Sequence, residues 1–365
     1  MLIFLALCIL LQACASKKAT QEIDAGPAPG TPVSVKESPA TFVANLNPAI
    51  QGMKSYRELA PSIKKSLRYL SSKKDSAYAV KRPGLKITWG AMKQTLRRLE
   101  ALLPELDKDP SLFLKNFAWV PVRQHIQYSG YYSPVVKASK TRKKGYNHPI
   151  YRRPPDLGRR GRYYTRREIE AEKKLANKGL ELAWAKDPVD VFFLEIQGSG
   201  CLLLEDGSQI CINYDGQNGH KYKSSGRIMR EKGLLKRGDI FEQRQWLKDH
   251  PDRVNEILHE NPSFVFFKLE GTGPTGAMGQ VVDGWKSLAT DPHFIPLGSI
   301  VAYGVNRPDP KYTTFPHRGI GFAQDTGGAI KKNRIDVYCG EDAKANYVAS
   351  FLDAKGPAWI LVAKD

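Results

Sequence analysis

The sequence predicts a mainly β protein with helices near its N terminus, and three observations lead to this prediction. Short apolar segments separated by glycine and proline fill the C-terminal third of the 365-residue chain, a spacing typical of a small β-barrel. Residues 55–72 and 91–106 carry apolar side chains at three- and four-residue intervals, as amphipathic helices do. Hydrophobic residues make up 41% of the chain, enough for a core in one large or two modest domains.

The chain begins with an apolar run, MLIFLALCILLQAC, that is too short to span a bilayer. Its end, LQAC, resembles the lipobox of bacterial lipoproteins, in which the cysteine is lipidated after the signal is removed. We expect residues 1–14 to be a signal peptide with lipobox, Cys14 to be the lipidation site, and residues 15–42 to be a flexible tether. Because Ala15 follows Cys14 where an aspartate would favour the inner membrane, the expected location is the periplasmic face of the outer membrane. The alternative is a buried N-terminal helix.

The formal charge of +19 at pH 7 indicates an anionic partner, such as nucleic acid, anionic lipid or an acidic polymer. Export makes nucleic acid the least suitable of these, so we expect none. Residues 137–167 are dense in lysine and arginine and broken by glycine and proline, which is typical of an extended loop or edge strand.

Cys201 and Cys211 flank a hairpin-like stretch, CLLLEDGSQIC, whose turn would place them opposite one another. An oxidising compartment permits a disulfide there. The two residues could instead be unpaired, half-buried thiols, and the sequence leaves both interpretations open.

The remaining elements follow from local pattern. Residues 189–200 and 201–216 have β-rich composition with tight turns, and residues 219–235 and 238–260 have helical periodicity. The C-terminal third contains these predicted strands: FVFFK, GQVVDG, LGSIVAYG, GIGFAQD, RIDVYCG and AWILVA.

Several chemistries lack the residues that they require. The seven histidines are scattered and form no recognisable ligand spacing, so no metal or other cofactor is expected. Ser199 lies in QGSG, which lacks the first glycine of the GxSxG nucleophile motif. Asp325-Thr326-Gly327 resembles the aspartic protease motif, but a protease of that class needs two such carboxylates and the chain has one copy.

A chemistry that uses a single carboxylate remains. Asp336 lies between Ile335 and Val337 in a strand-like stretch, so strand alternation points it away from both, toward a cleft. Hydrophobic walls there would favour the protonated carboxyl, as a general acid requires. Asp325 precedes a glycine pair and could accept backbone hydrogen bonds and stay ionised. Either aspartate could instead only cap a turn or end a strand.

Five segments, taken in order, resemble the family of membrane-bound lytic murein transglycosylases A: SGYYSPV, EIQGSG, NYDGQNGHKYKSSGR, NPSFVFFK and QDTGGAIKKNRIDVYCG. The resemblance covers roughly residues 120–365. It implies a double-psi β-barrel domain formed by residues 43–135 and 264–365, a smaller inserted β-barrel domain formed by residues 136–263, and a glycan-binding groove between the two.

The resemblance also implies a reaction. Asp336 would act as acid and then base in cleaving the bond between N-acetylmuramic acid and N-acetylglucosamine without water, leaving 1,6-anhydromuramyl ends, and Asp325 would support it. One carboxylate suffices because the attacking C6 hydroxyl is already tethered to the reacting sugar. Residues in the matched segments that are suited to sugar contact, or that simply fix turns, are Gln197, Ser199, Tyr214, Asn218, Tyr222, Ser129 and Tyr131.

Two other functions fit the same residues. One is a non-catalytic peptidoglycan-binding lipoprotein, and the other is a muramidase-type hydrolase with Asp325 as its second carboxylate. The expected partners are peptidoglycan glycan strands, the membrane through the lipid anchor, and cell-wall synthesis or division proteins. The protein is expected to be a monomer.

Overall fold

The computed structural model describes residues 30–122, 125–159, 161–270 and 273–364. The predicted signal peptide and its Cys14 lie outside the described residues. None of the described helices combines the length and the apolar character needed to span a bilayer.

The described residues form ten α-helices and sixteen β-strands. The helices are α1 (Pro39–Ala44), α2 (Ala60–Leu70), α3 (Trp89–Leu102), α4 (Leu112–Asn116), α5 (Arg166–Glu170), α6 (Pro188–Gln197), α7 (Ser225–Glu231), α8 (Ile240–Asp249), α9 (Val254–Leu258) and α10 (Ala343–Phe351). The strands are β1 (Tyr78–Arg82), β2 (Leu85–Thr88), β3 (Phe117–Pro121), β4 (Ile126–Tyr131), β5 (Val135–Ser139), β6 (His148–Tyr151), β7 (Glu181–Ala185), β8 (Ser199–Leu203), β9 (Gln209–Gln217), β10 (Val265–Glu270), β11 (Ser287–Ala289), β12 (Ile300–Asp309), β13 (Thr313–Asp325), β14 (Arg334–Tyr338), β15 (Ala354–Gly356) and β16 (Ala358–Ala363).

Two sheets organise the fold. An eight-stranded sheet has the order β15-β4-β14-β11-β13-β12-β16-β3, and a six-stranded sheet has the order β10-β9-β8-β5-β7-β6. The larger sheet combines strands from before and after the smaller one, so the six-stranded unit is an insertion. The architecture is therefore two mixed sheets with helices, together with the separate hairpin of β1 and β2. Within the described residues, the edge strands β15 and β3 do not pair to close the larger sheet.

The six-stranded sheet extends past the domain boundary predicted at residue 263. Strand β10 pairs antiparallel with β9, so it lies in the six-stranded sheet although it follows the predicted boundary at residue 263. We call residues 136–270 the insert below.

The larger core lies between the eight-stranded sheet and the N-terminal helices. Phe42 of α1 packs edge-on against Trp119 of β3 and Trp359 of β16, with ring centroids 5.6 and 5.3 Å apart. Buried residues of α2 and α3 extend the same cluster. The helices predicted at residues 55–72 and 91–106 are thus confirmed as α2 and α3, each somewhat shorter than predicted.

The prediction of a strand within residues 189–200 is wrong, because most of that segment is helix α6. Asp187 caps the helix by accepting the N–H of Val189, Pro188 occupies its first turn, and Gly198 ends it with φ of +77°. The helix is apolar on nearly all sides because it packs between two buried clusters, one on the smaller sheet and one on α7 to α9. A short, uniformly apolar run does not distinguish a buried strand from a buried helix.

Two other predicted segments differ from the structure. The helix predicted at residues 238–260 is broken into α8, a short 3-10 turn and α9. The predicted strand GQVVDG, residues 279–284, is a loop that makes one isolated bridge, between Thr275 and Val281.

The prediction that the flexible tether extends to residue 42 is wrong for its last part. Val33 is buried and exchanges two hydrogen bonds with the side chain of Asn306 on β12, at 2.8 and 2.9 Å. Glu37 forms a buried ion pair with Arg318 of β13 at 2.6 Å, and both side chains are about 2% exposed. The segment from Thr31 onward is therefore bound to the sheet.

The disulfide between Cys201 and Cys211 is present in the structure. The two residues pair directly across β8 and β9, so the alternative of unpaired thiols is wrong. Cys339 is a buried free thiol.

Replacing Glu37 with alanine should lower the free energy of unfolding by about 3–5 kcal/mol, because Arg318 would stay buried without its carboxylate. Urea denaturation of wild type and variant measures this loss. The control is Glu231→Ala, which breaks an exposed pair with Arg227 and should leave stability close to wild type. Equal losses in both variants would show that the buried pair has no special role.

Candidate active site

Four residues lie in one row across four adjacent strands of the larger sheet. Ser129 of β4 pairs with Asp336 of β14, Asp336 pairs with Ala289 of β11, and Ala289 pairs with Asp325 of β13. Paired residues on neighbouring strands point to the same face of a sheet. The two aspartates, eleven positions apart in sequence, therefore share one face and are separated by the small side chain of Ala289.

A register shift between β11 and β13 makes this row possible. Leu288 pairs with Ala323, but the next residue, Ala289, pairs with Asp325 rather than Gln324. Such a bulge re-aims the side chains that follow it. Gln324 instead points to the buried side, where its amide donates to the Ser62 carbonyl.

Asp336 is held by a neighbour in the same row. Ile335 and Val337 are buried in the core, and Asp336 is half-buried on the other face, as strand alternation predicts. The Ser129 hydroxyl donates to Oδ1 of Asp336 at 2.7 Å, and Arg334 Nε donates to the Ser129 oxygen at 3.2 Å.

The pKa of Asp336 is raised to about 6. Burial is the main cause, and the negative charge of Asp325 adds to it, while the Ser129 hydrogen bond and the Arg334 charge act in the opposite direction. A carboxyl with this pKa exchanges its proton near neutral pH, as a group that acts first as acid and then as base must do.

Asp325 has a different environment, with hydrogen bonds to both of its oxygens. Oδ1 accepts the backbone N–H groups of Ala277 and Thr326 at 2.9 and 2.8 Å, and Oδ2 accepts the Tyr131 hydroxyl at 2.8 Å. Burial raises the pKa of Asp325, although all three hydrogen bonds favour the ionised form. The same burial, with the charge of Asp325, raises the pKa of Tyr131, so that this phenol stays a neutral donor.

Sequence reasoning missed two residues that shape this site. Ala289 lies between the two aspartates, and only strand register places it there. Asp291 is buried and accepts the N–H groups of His293 and Lys332 at 3.1 and 2.9 Å, so it fixes the loop between Asp325 and Asp336. The Asp-Pro pair at residues 291–292 was a turn signal that could have identified Asp291.

Two predicted sugar-contact residues of the insert lie close to the eight-stranded sheet. The Gln197 side-chain oxygen accepts the N–H of Tyr132, just past β4, at 3.3 Å. Ser199 pairs with Asn213, and the Asn213 side-chain oxygen accepts the N–H of Thr275 at 3.0 Å. Thr275 is two residues from Ala277, which donates to Asp325. Contacts through Asn213 and the loop from Thr275 to Ala277 therefore link Ser199 to Asp325.

The tyrosines predicted for the insert are accessible. Tyr214 is 51% exposed and Tyr222 is 47% exposed, so either ring can contact a ligand. With Ser129 and Tyr131 on the aspartate face, six of the seven predicted contact residues keep that role as a prediction.

Asn218 does not fit its predicted role as a sugar contact. Its side chain is fully buried; its amide donates to the carbonyls of Tyr164 and Pro262 at 2.8 Å each, and its oxygen accepts the N–H groups of His220 and Phe264. All of its hydrogen-bonding groups satisfy backbone, so Asn218 stabilises the insert.

A cavity of about 180 Å³ lies between α10 and the insert helices, with Gln197, Tyr222 and Tyr132 among its lining residues. It lies on the opposite face of β4 from Asp336, because a side chain at Gly130 would meet Ala349 of α10, and Ser129 faces the other way. This cavity contains neither aspartate.

The described residues contain no group of three or more histidine, cysteine, aspartate or glutamate side chains arranged to hold a metal ion.

Two family models match the chain. Residues 127–268 match the MltA specific insert domain, and residues 286–362 match the 3D domain. Membrane-bound lytic murein transglycosylase A of Escherichia coli K12 is 36% identical over 244 residues, which cover 65% of this chain and 66% of that protein. A homolog of the same protein from Buchnera aphidicola subsp. Schizaphis graminum is 31% identical over 263 residues, covering 68% and 70%.

Solved structures agree with these matches. A membrane-bound lytic murein transglycosylase from Agrobacterium tumefaciens has a TM-score of 0.72 at 26% identity, covering 86% of this chain and 94% of that chain. E. coli MltA with bound chitohexaose has a TM-score of 0.71 at 28% identity, covering 84% and 90%. The described architecture is shared with both.

Asp336→Asn should stabilise the protein at neutral pH by an amount of the order of 1 kcal/mol, allowing for partial solvent exposure. The folded state binds the proton of the Asp336 carboxyl more tightly than the unfolded state, so wild-type stability falls as pH rises from about 4 to about 6. Asparagine does not titrate, so the variant does not show this loss. Urea denaturation at about pH 7.5 and about pH 4 measures the difference, which should vanish at the lower pH.

The matched control is Asp291→Asn. Burial by itself would raise the pKa of Asp291, but the backbone donors of Lys332 and His293 outweigh it and hold the pKa below its usual range. This variant should therefore lose stability at neutral pH and lose less as the pH falls. If both substitutions stabilised the protein at neutral pH, or both destabilised it, the raised pKa of Asp336 and the lowered pKa of Asp291 could not both be correct.

Proposed function

The chain belongs to the membrane-bound lytic murein transglycosylase A family, and on that premise we propose that it cleaves peptidoglycan glycan strands between N-acetylmuramic acid and N-acetylglucosamine without water. The product is a 1,6-anhydromuramyl end. The observation that carries this proposal is the single half-buried carboxyl of Asp336, which is held by Ser129 and has a pKa of about 6.

Asp336 supplies both proton transfers. Its protonated carboxyl donates to the oxygen of the glycosidic bond as the bond from that oxygen to muramyl C1 breaks. The resulting carboxylate then takes the proton of the muramyl C6 hydroxyl while the C6 oxygen attacks C1. The proton lost in the first step is regained in the second, so Asp336 ends as it began. The nucleophile belongs to the same sugar ring, which replaces a second catalytic group by proximity.

The surroundings of Asp325 favour this reaction over hydrolysis. A hydrolase of this kind needs a second carboxylate that is free to activate water or to bond to the sugar. Both oxygens of Asp325 already accept hydrogen bonds, from Ala277, Thr326 and Tyr131. Asp325 is suited instead to stabilising the positive charge that develops at C1.

We also propose a barrel fold for the larger sheet and a glycan groove beside it. The eight-stranded sheet would correspond to the double-psi β-barrel of the family; it is mixed, with the parallel pairs β4–β14 and β11–β13, although its described edge strands do not pair with each other. The glycan would lie between the sheet and the insert, contacting Ser199 and Tyr214. Gln197 and Tyr222 line the cavity on the opposite face of β4, and would contact a part of the glycan more distant from Asp336. Chitohexaose, the ligand in the E. coli MltA structure, is a related sugar oligomer.

We propose that the protein is anchored to a membrane through its N terminus. The curated relatives are named membrane-bound, which supports anchoring through a lipid on Cys14 at the periplasmic face of the outer membrane. The partners would be peptidoglycan strands and proteins of cell-wall synthesis or division, with the enzyme acting as a monomer. The proton transfers proposed for Asp336 use no cofactor.

Asp336→Asn should reduce release of anhydromuropeptides by about 10²–10⁴-fold, because the amide can neither donate nor take up the proton. Mass spectrometry of soluble products from purified murein measures this. Asp206→Asn, in an exposed turn of the insert, is the control and should remain active. Products heavier by one water would identify a hydrolase, and no products from wild type would favour a binding protein.

Cleavage should fall as pH rises above about 6, because the protonated form of Asp336 starts the reaction. Ser129→Ala removes a hydrogen bond that lowers this pKa, so the alkaline limb of kcat/KM should move up by about half to one pH unit. Arg334→Gln removes a positive charge and should move the limb the same way. An unchanged limb in both variants would show that another group sets the pH dependence.

A further inference from the structure

We propose that Asn213 of strand β9 is a positioning residue for the reaction, because it holds the loop whose backbone binds Asp325. This loop, residues 273–282, is called the strap here. It links the insert, where the glycan is proposed to bind, to the carboxylates of the larger sheet. The inference rests on the proposed function and adds a role for a residue that touches neither aspartate.

The first end of the strap is fixed by the insert. Asn213 is only 4% exposed, and its side-chain oxygen accepts the N–H of Thr275 at 3.0 Å. Its neighbour across the strand pair is Ser199, a proposed glycan contact. The bond to Thr275 therefore begins beside the proposed glycan path.

The strap meets β13 two residues later. Ala277 donates its N–H to Oδ1 of Asp325 at 2.9 Å, and Met278 donates its N–H to the Gln324 carbonyl at 3.3 Å. The contact is close: a Cβ at Gly276 would lie 2.6 Å from the Gln324 carbonyl oxygen and 3.2 Å from Cβ of Asp325. A side chain at position 276 would push the strap away from Asp325.

The strap has little freedom to absorb a shift at Thr275. Gly276 donates to the Gln280 carbonyl at 3.0 Å, and Val282 donates to the Pro274 carbonyl at 2.9 Å, so the loop is closed on itself. Just beyond it, Asp283 is bound by Lys65 of α2 at 2.7 Å. Since the loop is held together internally, it should move as one unit, so a shift at Thr275 after loss of the Asn213 bond should be passed on to Ala277.

Movement of Ala277 has an electrostatic consequence. Its N–H favours the ionised form of Asp325, so losing it makes Asp325 more often neutral. A neutral Asp325 repels the Asp336 carboxylate less, which lowers the pKa of Asp336. The other titratable groups that act on the two aspartates are Tyr131 of β4, Arg334 of β14 and the buried Cys339, and the variants below leave all three in place.

Asn213→Ala and Gly276→Ala, made singly and together, test the inference from both ends of the strap. Each single variant should lower kcat by about 3- to 10-fold with a smaller change in KM, as expected for one lost hydrogen bond. Each should also move the alkaline limb of kcat down by about half a pH unit. The double variant should show little further change, because both substitutions remove the same contact.

Ser199→Ala is the matched control on the insert side. It leaves the bond between Asn213 and Thr275 in place, so it should raise KM through a lost sugar contact and leave the alkaline limb unmoved. The inference would be overturned if the losses of kcat in Asn213→Ala and Gly276→Ala added up in the double variant. It would also be overturned if neither single variant moved the alkaline limb of kcat. A loss of thermal stability in Asn213→Ala with an unmoved limb would show a purely structural role.

Carbon-13 NMR titration of the aspartate carboxyls separates this inference from the proposed function. The pKa of Asp325 should rise and that of Asp336 should fall in both strap variants. This readout does not depend on activity, so it decides the role of Asn213 even if wild type releases no anhydromuropeptides. Unchanged carboxyl pKa values would reject the coupling.

Discussion

Strand register across β4, β14, β11 and β13 is the constraint on which the site depends. It places Ser129, Asp336, Ala289 and Asp325 in one row, and the bulge beside Ala289 brings Asp325 into that row. On the opposite face of β4, helix α10 packs closely at Gly130, which has no room for a side chain against Ala349 and Cys339. The polar row lies on the other face, where the strap residue Ala277 donates to Asp325.

Within this row, two carboxyls of the same type have different surroundings. Asp325 has donors on both oxygens, whereas Asp336 accepts from Ser129 through one oxygen and, within the described residues, accepts no hydrogen bond through the other. Unequal hydrogen bonding of neighbouring acids separates their roles. A carboxyl kept ready to donate a proton is held in an environment that disfavours its charge, so the fold gives up some stability at neutral pH for it.

The insert contributes to the site through its position on the larger sheet. Gln197 contacts the backbone of Tyr132, Asn213 holds the strap, and Phe241 of α8 stacks on Phe351 of α10 at 5.4 Å. Inside the insert, a buried pair between Arg166 and Glu195 joins α5 to α6. These contacts orient the face that bears Ser199 toward the carboxylates.

Features that depend on local pattern follow directly from short segments of the chain. The periodic helices, the strand that turns Asp336 away from Ile335 and Val337, the hairpin that brings Cys201 to Cys211, and the family resemblance could all be predicted from short segments. Features that depend on partners distant in sequence become visible only in the folded chain. Local pattern predicts a strand where helix α6 forms, because burial on all sides removes the helical periodicity of its apolar residues. Asn218 is buried, and Ala289 and the strap lie against Asp325, because strands from separate parts of the chain pair in one register. No local pattern encodes which strand a given strand pairs with.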